Sequence, residues 1–153
     1  DLQDLSKERG ATPTLVNPKR LFEEIIGQAP SNIKVVVDVD QELSVLMDEY
    51  IIRRVIGNLV LNAVQAMPNG GTLTIGANVE GNDFVIRVSD TGPGIPKEIM
   101  DKLFTPFLTT KAKGMGLGLA VCKKLIEDHG GMISVESEPG KGTTFIIRIS
   151  QKG

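Results

Sequence analysis

The sequence contains few of the residues from which disulfides and zinc sites are built. Its 153 residues include one cysteine, one histidine and no tryptophan. Cys122 therefore cannot form a disulfide within the chain, which favours a reducing compartment. The same scarcity argues against a zinc site, which takes several cysteine or histidine ligands.

Long apolar runs and blocks of positive charge are absent as well. No run of about eighteen apolar residues could cross a membrane, and no basic and then apolar leader opens the sequence. The formal net charge of -2 gives no sign of a nucleic-acid partner. With 41% hydrophobic and 24% charged residues, the composition is typical of one globular domain. We therefore expect a soluble domain without direct contact to nucleic acid or membrane.

One carboxylate lies at the end of a predicted strand, on its apolar side. In residues 84–90, alternation places Phe84, Ile86 and Val88 on the same face as Asp90. A carboxylate there loses hydration and needs a hydrogen-bond donor, and the exocyclic amine of a purine is one such donor. Glycines follow directly, so a flat ring can lie against bare backbone. The alternative is that Asp90 only forms an Asx turn with the next two residues.

A second glycine-rich segment, residues 114–118, precedes a predicted amphipathic helix at residues 119–128. Unpaired N–H groups at such a helix start favour phosphate. The glycine spacing is neither that of a dinucleotide fingerprint nor that of a Walker A loop. The segment therefore predicts a phosphate site of another kind.

The longest predicted helix, residues 49–67, carries two amides in its apolar stripe. On a helical wheel Asn58 and Asn62 fall on the same side as Ile51 and Leu59. Burying an unpaired amide would cost about 1–3 kcal/mol. One interpretation is that the amides fasten neighbouring loops. The other is that a carbonyl oxygen binds a metal ion that carries phosphates.

Apolar patterns and turn residues predict the remaining elements. Helices are expected at residues 18–28 and 96–103, and strands at 33–39, 44–47, 72–79, 132–137 and 143–149, with 72–79 and 84–90 as an antiparallel hairpin. Phe104 and Phe107 are expected to be core anchors of a loop that can act as a lid. Lys111 in that loop is either solvated or reaches a terminal phosphate. His129 is interpreted as a helix C-cap.

Four of these segments, in their order along the chain, resemble motifs of the ATP-binding catalytic domain of sensor histidine kinases. That domain belongs to a larger group with gyrase-type, Hsp90-type and mismatch-repair ATPases. Residues 58–62 (Asn-Leu-Val-Leu-Asn) resemble the N box, 90–94 (Asp-Thr-Gly-Pro-Gly) the G1 box, 104–107 (Phe-Thr-Pro-Phe) the F box and 114–118 (Gly-Met-Gly-Leu-Gly) the G2 box. Two stretches of the sequence are similar to the nitrogen-regulator branch of these kinases, namely Asn-Ala-Val-Gln-Ala-Met-Pro and Thr-Thr-Lys.

The resemblance implies an α/β fold, a two-layer α/β sandwich known as the Bergerat fold, with a mixed sheet of about five strands packed on three helices. Residues 13–153 would be the ATP-binding catalytic domain, and residues 1–12 a linker or the tail of a preceding dimerisation helix. The implied partners are ATP, Mg²⁺, the dimerisation and phospho-acceptor domain of the same protein, and a downstream response regulator. The expected location is cytoplasmic, although a longer parent chain could be anchored in a membrane.

The resemblance also implies roles for individual residues. Asp90 would bind the adenine amino group, Asn62 would hold Mg²⁺ against the phosphates with Asn58 beside it, and Asn58, Asn62 and Lys111 would be catalytic. The other implied nucleotide-binding residues are Gly92, Gly94, Ile95, Phe107, Thr110, Lys111, Gly114, Met115, Gly116, Leu117, Gly118 and Thr143.

The sequence departs from the family pattern at two places. Gln65 and Ala66 stand where many histidine kinases carry a basic and an aromatic residue, and Lys111 is the candidate for the missing charge. Gyrase-like ATPases place a glutamate, the base for water, where this chain has Asn58. Because an amide cannot take a proton at neutral pH, the resemblance favours transfer to an imidazole over hydrolysis.

Three other functions share features with this sequence. Asp90-Thr-Gly is also the signature of aspartic proteases, but the two long predicted helices contradict their almost all-β fold. A nucleotide-binding regulatory module without catalysis would share every residue named above. A serine-directed kinase of the anti-sigma type would share the fold, although the similarity to the nitrogen-regulator branch argues against it.

Overall fold

The computed structural model describes residues 11–27, 29–105 and 113–151, the side chains of residues 113–117 excepted. Phe107, Thr110 and Lys111, and the linker predicted at the start of the chain, lie outside these ranges or at their edge. The strands are β1 (Thr14–Val16), β2 (Ile33–Asp38), β3 (Val45–Met47), β4 (Gly71–Glu80), β5 (Asp83–Asp90), β6 (Gly131–Glu138) and β7 (Gly142–Ser150). The helices are α1 (Pro18–Ile25), α2 (Glu49–Ala66), α3 (Lys97–Met100) and α4 (Lys113–Asp128).

Five of the strands form one mixed sheet in the order β2-β4-β5-β7-β6. Strands β2 and β4 run parallel, and the other neighbours are antiparallel. Alternate side chains of β4, β5 and β7 point into a single core, to which α1, α2 and α4 contribute their apolar faces. The predicted two-layer sandwich with a five-stranded sheet is confirmed. Within the described residues, no helix is both long and apolar enough to span a membrane.

The two helices of the first half begin as their sequences predict. Asn17 caps α1 by accepting the N–H of Arg20 at 3.2 Å, with Pro18 in the first turn. Asp48 caps α2 in the same way through the N–H of Ile51, also at 3.2 Å. The predicted end of the first helix near residue 28 is wrong, because α1 ends at Ile25.

Several element bounds differ from the sequence prediction. Strand β1 was not predicted, and it exists by pairing with β3 in a separate two-stranded sheet. Helix α3 is a single turn and stops well before residue 103. Helix α4 begins at Lys113, so the glycines expected to precede it lie within its first two turns. The predicted β4–β5 hairpin is confirmed, with Glu80 opposite Asp83.

His129 directly follows the last residue of α4, as expected of a helix C-cap, and its side chain also contacts another helix. Its Nε2 atom accepts the backbone N–H of Asp48 at 2.8 Å, so the histidine joins the end of α4 to the start of α2. The accepting Nε2 atom makes this contact through its lone pair. His129 therefore combines the predicted position at the helix end with a tertiary contact that the sequence did not predict.

Replacing His129 with alanine should lower the free energy of unfolding by about 1–3 kcal/mol, because the N–H of Asp48 loses its acceptor in a partly buried place. Urea unfolding followed by circular dichroism measures the change. Lys124→Ala, on the exposed side of the same helix, is the control and should shift stability by no more than about 0.5 kcal/mol. Equal effects of the two substitutions would contradict the assigned contact.

Candidate functional site

A row of side chains crosses the helix-covered face of the sheet where β5 ends. Leu73, Asp90, Thr143 and Ser137 are register partners on the consecutive strands β4, β5, β7 and β6. Leu73 is fully buried and Thr143 is 7% exposed, whereas Asp90 is half-buried. The row therefore changes from apolar to polar at Asp90, in the place that alternation predicts.

The environment of Asp90 disfavours its charge. Burial raises the pKa of the carboxyl group, and the N–H groups of Gly92 and Thr143 oppose that rise only in part. Gly92 N lies 2.8 Å from Asp90 Oδ1, which is the Asx turn considered as the alternative. The Asx turn therefore does not replace all of the hydration that the Asp90 carboxylate loses. A hydrogen-bond donor on a ligand would compensate for the rest.

The loop after β5 is compressed between two other parts of the chain. A Cβ atom added at Gly92 would lie 2.9 Å from the carbonyl oxygen of Ala66 in the last turn of α2. Gly94 has φ +82°, and a Cβ there would collide with the backbone carbonyl of Glu138. Both positions require glycine, and the loop is held between α2 and the β6–β7 turn.

One stripe of α2 connects the two glycine-rich segments. Asn58, Asn62 and Ala66 are spaced four residues apart and lie on the same side of the helix. A Cβ added at Gly118 would lie 2.7 Å from Asn58 Nδ2, while Ala66 lies against Gly92. The two contacts are about 12 Å apart along the helix. Asn62 therefore lies midway between the segments that the sequence assigns to base and phosphates.

Asn62 is the buried amide of that stripe. It is 5% exposed, and its Nδ2 finds no hydrogen-bond partner among the residues that the structure describes. The described ranges also contain no group of three or more histidine, cysteine or carboxylate side chains that could enclose a metal ion. Mg²⁺ commonly keeps several waters and phosphate oxygens and takes one or two protein ligands. An amide such as Asn62 fits that requirement.

Helix α4 meets this stripe at Gly118. Because the helix begins at Lys113, the N–H groups of residues 113–115 have no acceptor within the helix. Gly114 is among them, whereas Gly116 is the fourth helical residue, whose N–H group belongs to the helix hydrogen bonds. Met115 and Leu117 lie in the same turns. Gly118 falls in the second turn, where its observed role is to admit Asn58. The expectation that the Gly118 N–H is free at a helix start is therefore corrected.

The remaining predicted residues divide between core and surface. Phe104 packs edge to face on Phe145, with ring centroids 6.3 Å apart, as expected of a core anchor. Ile95 is partly buried against the main core. Gln65, at the position that is basic in many histidine kinases, is exposed. Thr143 Oγ1 lies 3.0 Å from the hydroxyl of Ser137.

Ser137 is a residue that the sequence did not reveal. Its hydroxyl accepts the backbone N–H of Ile95 at 2.8 Å and so fixes the loop after β5. The only signal for this contact is the β6–β7 register, which places Ser137 opposite Thr143.

Comparisons with known proteins identify the family of this chain. The profile of the family described as "Histidine kinase-, DNA gyrase B-, and HSP90-like ATPase" matches residues 47–153. Sporulation kinase A of Bacillus subtilis (strain 168) is 44% identical over 105 residues, which are 69% of this chain and 17% of that kinase. Sensor histidine kinase ZraS of Escherichia coli (strain K12) is 47% identical over 94 residues, 61% of this chain and 20% of ZraS.

Solved structures show the same fold. The catalytic domain of histidine kinase ThkA, in a nucleotide-free form, superposes with a TM-score of 0.82 at 34% identity, over 92% of this chain and 96% of that one. ThkA in complex with the response regulator protein TrrA gives 0.80 at 33% identity, over 99% of this chain and 45% of that one. The chain spans about a fifth of the length of the curated relatives it matches.

Asp90→Asn should raise the melting temperature of the ligand-free protein at neutral pH or leave it unchanged. The folded state raises the pKa of Asp90, so its charge weakens folding at pH values above that pKa. This cost disappears as pH falls toward the ordinary value of 3.8. The difference between variant and wild type should therefore shrink between about pH 7 and about pH 4 in thermal unfolding scans.

Asp38→Asn is the matched control, since Asp38 is exposed at the end of β2. It should change the melting temperature little, because substitutions at exposed positions usually have small effects on stability. A gain for Asp90→Asn that grows on acidification would contradict the raised pKa.

Proposed function

The chain belongs to the family of histidine kinase-, DNA gyrase B- and HSP90-like ATPases, and from this membership we propose that it binds Mg-ATP and transfers the γ-phosphoryl group to a histidine on a separate dimerisation domain. The observation that carries the proposal is the stripe of α2. Its contacts with Gly118 and Gly92 bring the amide of Asn62 between the two glycine-rich segments.

Asp90 would recognise the base. Its carboxylate only accepts hydrogen bonds, and its two backbone donors do not offset the loss of hydration. An adenine amino group supplies a further donor. Gly92, Gly94 and Ile95 would border the ring, since the glycine-rich backbone leaves room for a flat group.

Asn62 and the first turn of α4 would hold the phosphate end. Mg²⁺, when bound, neutralises phosphate charge, and Asn62 would be its protein ligand. The free N–H group of Gly114 lies in the helix turn that favours anions, and Gly116 is proposed as a further contact from its motif position. Asn58 would support Asn62 from the next turn. We propose Phe107, Thr110, Met115, Leu117 and Lys111 as further nucleotide contacts from their motif positions alone.

Transfer is favoured over hydrolysis by the groups present. Asn58 cannot act as a base for water, whereas an imidazole nucleophile needs none. His129, the single histidine of the chain, is engaged with the N–H of Asp48. It also lies at the opposite end of α4, about 17–22 Å along the helix from the glycine segment. The acceptor histidine is therefore proposed to lie on another domain.

The proposal extends to the setting of the reaction. A response regulator would receive the phosphoryl group in turn, which is supported by the complex of the similar kinase ThkA with TrrA. Cys122 is a free, buried thiol, consistent with a reducing compartment such as the cytoplasm.

The test is titration calorimetry of the chain with Mg-ATP, followed by phosphotransfer to a histidine-bearing dimerisation domain added in trans. Asp90→Asn should weaken ATP binding by about 10- to 100-fold, because a hydrogen bond to a charged acceptor is lost. Asp83→Asn, at the other end of β5 and paired with Arg148 at 3.6 Å, should bind as wild type does. Wild-type affinity of the Asp90 variant would remove Asp90 from the site, and binding without transfer would indicate a regulatory module.

Asn62→Ala should abolish most of the dependence of ATP affinity on Mg²⁺. Its stability should fall less than that of an ordinary core truncation, because the lost Nδ2 group has no partner in the described structure. Titrations with and without EDTA measure the first effect, and urea unfolding measures the second. An unchanged Mg²⁺ dependence would exclude Asn62 as the ligand.

A further inference from the structure

The loop after β5 is fastened to the β6–β7 turn at three points. Ile95 N donates to Ser137 Oγ at 2.8 Å, and Gly140 N donates to the carbonyl of Pro93 at 2.7 Å. Gly94 lies against the backbone of Glu138. The Gly140 contact joins two backbone groups, and the Gly94 contact depends on the absence of a side chain. The third contact is made by the side chain of Ser137.

The hydroxyl of Ser137 has three neighbours but only one proton. They are Ile95 N at 2.8 Å, the carbonyl oxygen of Gly142 at 3.0 Å and Thr143 Oγ1 at 3.0 Å. The amide N–H can only donate, and the carbonyl oxygen can only accept. All three contacts form together only when the Ser137 proton goes to Gly142 and the hydroxyl of Thr143 donates its own proton to Ser137.

This arrangement determines what Thr143 can offer to a ligand. With its proton committed to Ser137, the Thr143 hydroxyl retains only lone pairs. Asp90, its register partner on the other side, is also an acceptor, because its carboxylate already takes N–H groups from Gly92 and Thr143. Asp90 and Thr143 together form one wall of the proposed base site, and this wall thus presents only hydrogen-bond acceptors to a ligand.

We propose that Ser137 is a positioning residue that makes this wall selective for a base with an amino group. It holds the loop of Gly94 and Ile95 in place and directs the Thr143 proton away from the base. A purine with a carbonyl oxygen at the same position would meet acceptors only and would be rejected. This inference rests on the proposed nucleotide function and adds a specificity role to it.

ATP and ITP test the proposal, because their bases differ in the amino group and the carbonyl oxygen that replaces it. Wild type should bind ATP more tightly than ITP. In Ser137→Ala the Thr143 proton is released and can point to a carbonyl oxygen. The ratio of the two affinities should therefore narrow by about tenfold, the worth of one hydrogen bond. Calorimetric titration of both nucleotides measures it.

Ser89→Ala is the matched control. Ser89 Oγ lies 2.8 Å from Thr144 Oγ1, an equivalent serine–threonine pair one register step away on the other face of the sheet. Its loss should leave the ratio unchanged. If Ser137→Ala does not fold, Ser137→Cys keeps the size with much weaker hydrogen bonding and should narrow the ratio in the same direction.

The outcomes separate this inference from the proposed function. A wild type that binds no ATP would overturn both. If the wild type binds ATP but Ser137→Ala leaves the ratio of ATP affinity to ITP affinity unchanged, the role of Ser137 alone is overturned. This holds even if both affinities fall together. No preference of the wild type for ATP over ITP would overturn it as well.

Discussion

Polar groups on the helix-covered face of a sheet must find partners, and the structure around Asp90 follows from that constraint. The register of β5 and β7 sets the N–H of Thr143 beside the carboxylate, and the turn supplies the N–H of Gly92. These two donors stabilise the charge without offsetting all of its lost hydration. The hydration that these donors do not replace is the reason why we propose a ligand site at the end of β5.

Helix α2 satisfies two demands at once. One side packs Ile52, Ile56 and Leu59 into the core, and the stripe beside it holds Asn62 within reach of both glycine-rich segments. Helix α2 therefore sets the distance between the proposed base and phosphate subsites. Because its side chains are fixed by core packing, that distance does not depend on loop conformation.

Features that depend on local sequence were predictable, and those that depend on tertiary pairing were not. Strand alternation placed Asp90, and the helical wheel placed Asn62, because each follows from one backbone period. Strand β1 is too short to show a period and exists through its partner β3. Ser137 and His129 act through contacts with distant segments, to Ile95 and Asp48, which no local pattern specifies. Asp90 and Asn62 could thus be located from the sequence, but not the Ser137 hydroxyl that contacts Ile95.

The sheet face opposite the helices carries crossed ion pairs. Glu80 contacts Arg87 at 3.1 Å and Arg148 at 3.2 Å, above Val85, which is buried but lies outside the main core. Such exposed pairs add little to folding. Stacking this face on a second sheet would, however, strip water from all of these charges, which is unfavourable. The ion pairs therefore disfavour self-association of the domain through this face of the sheet.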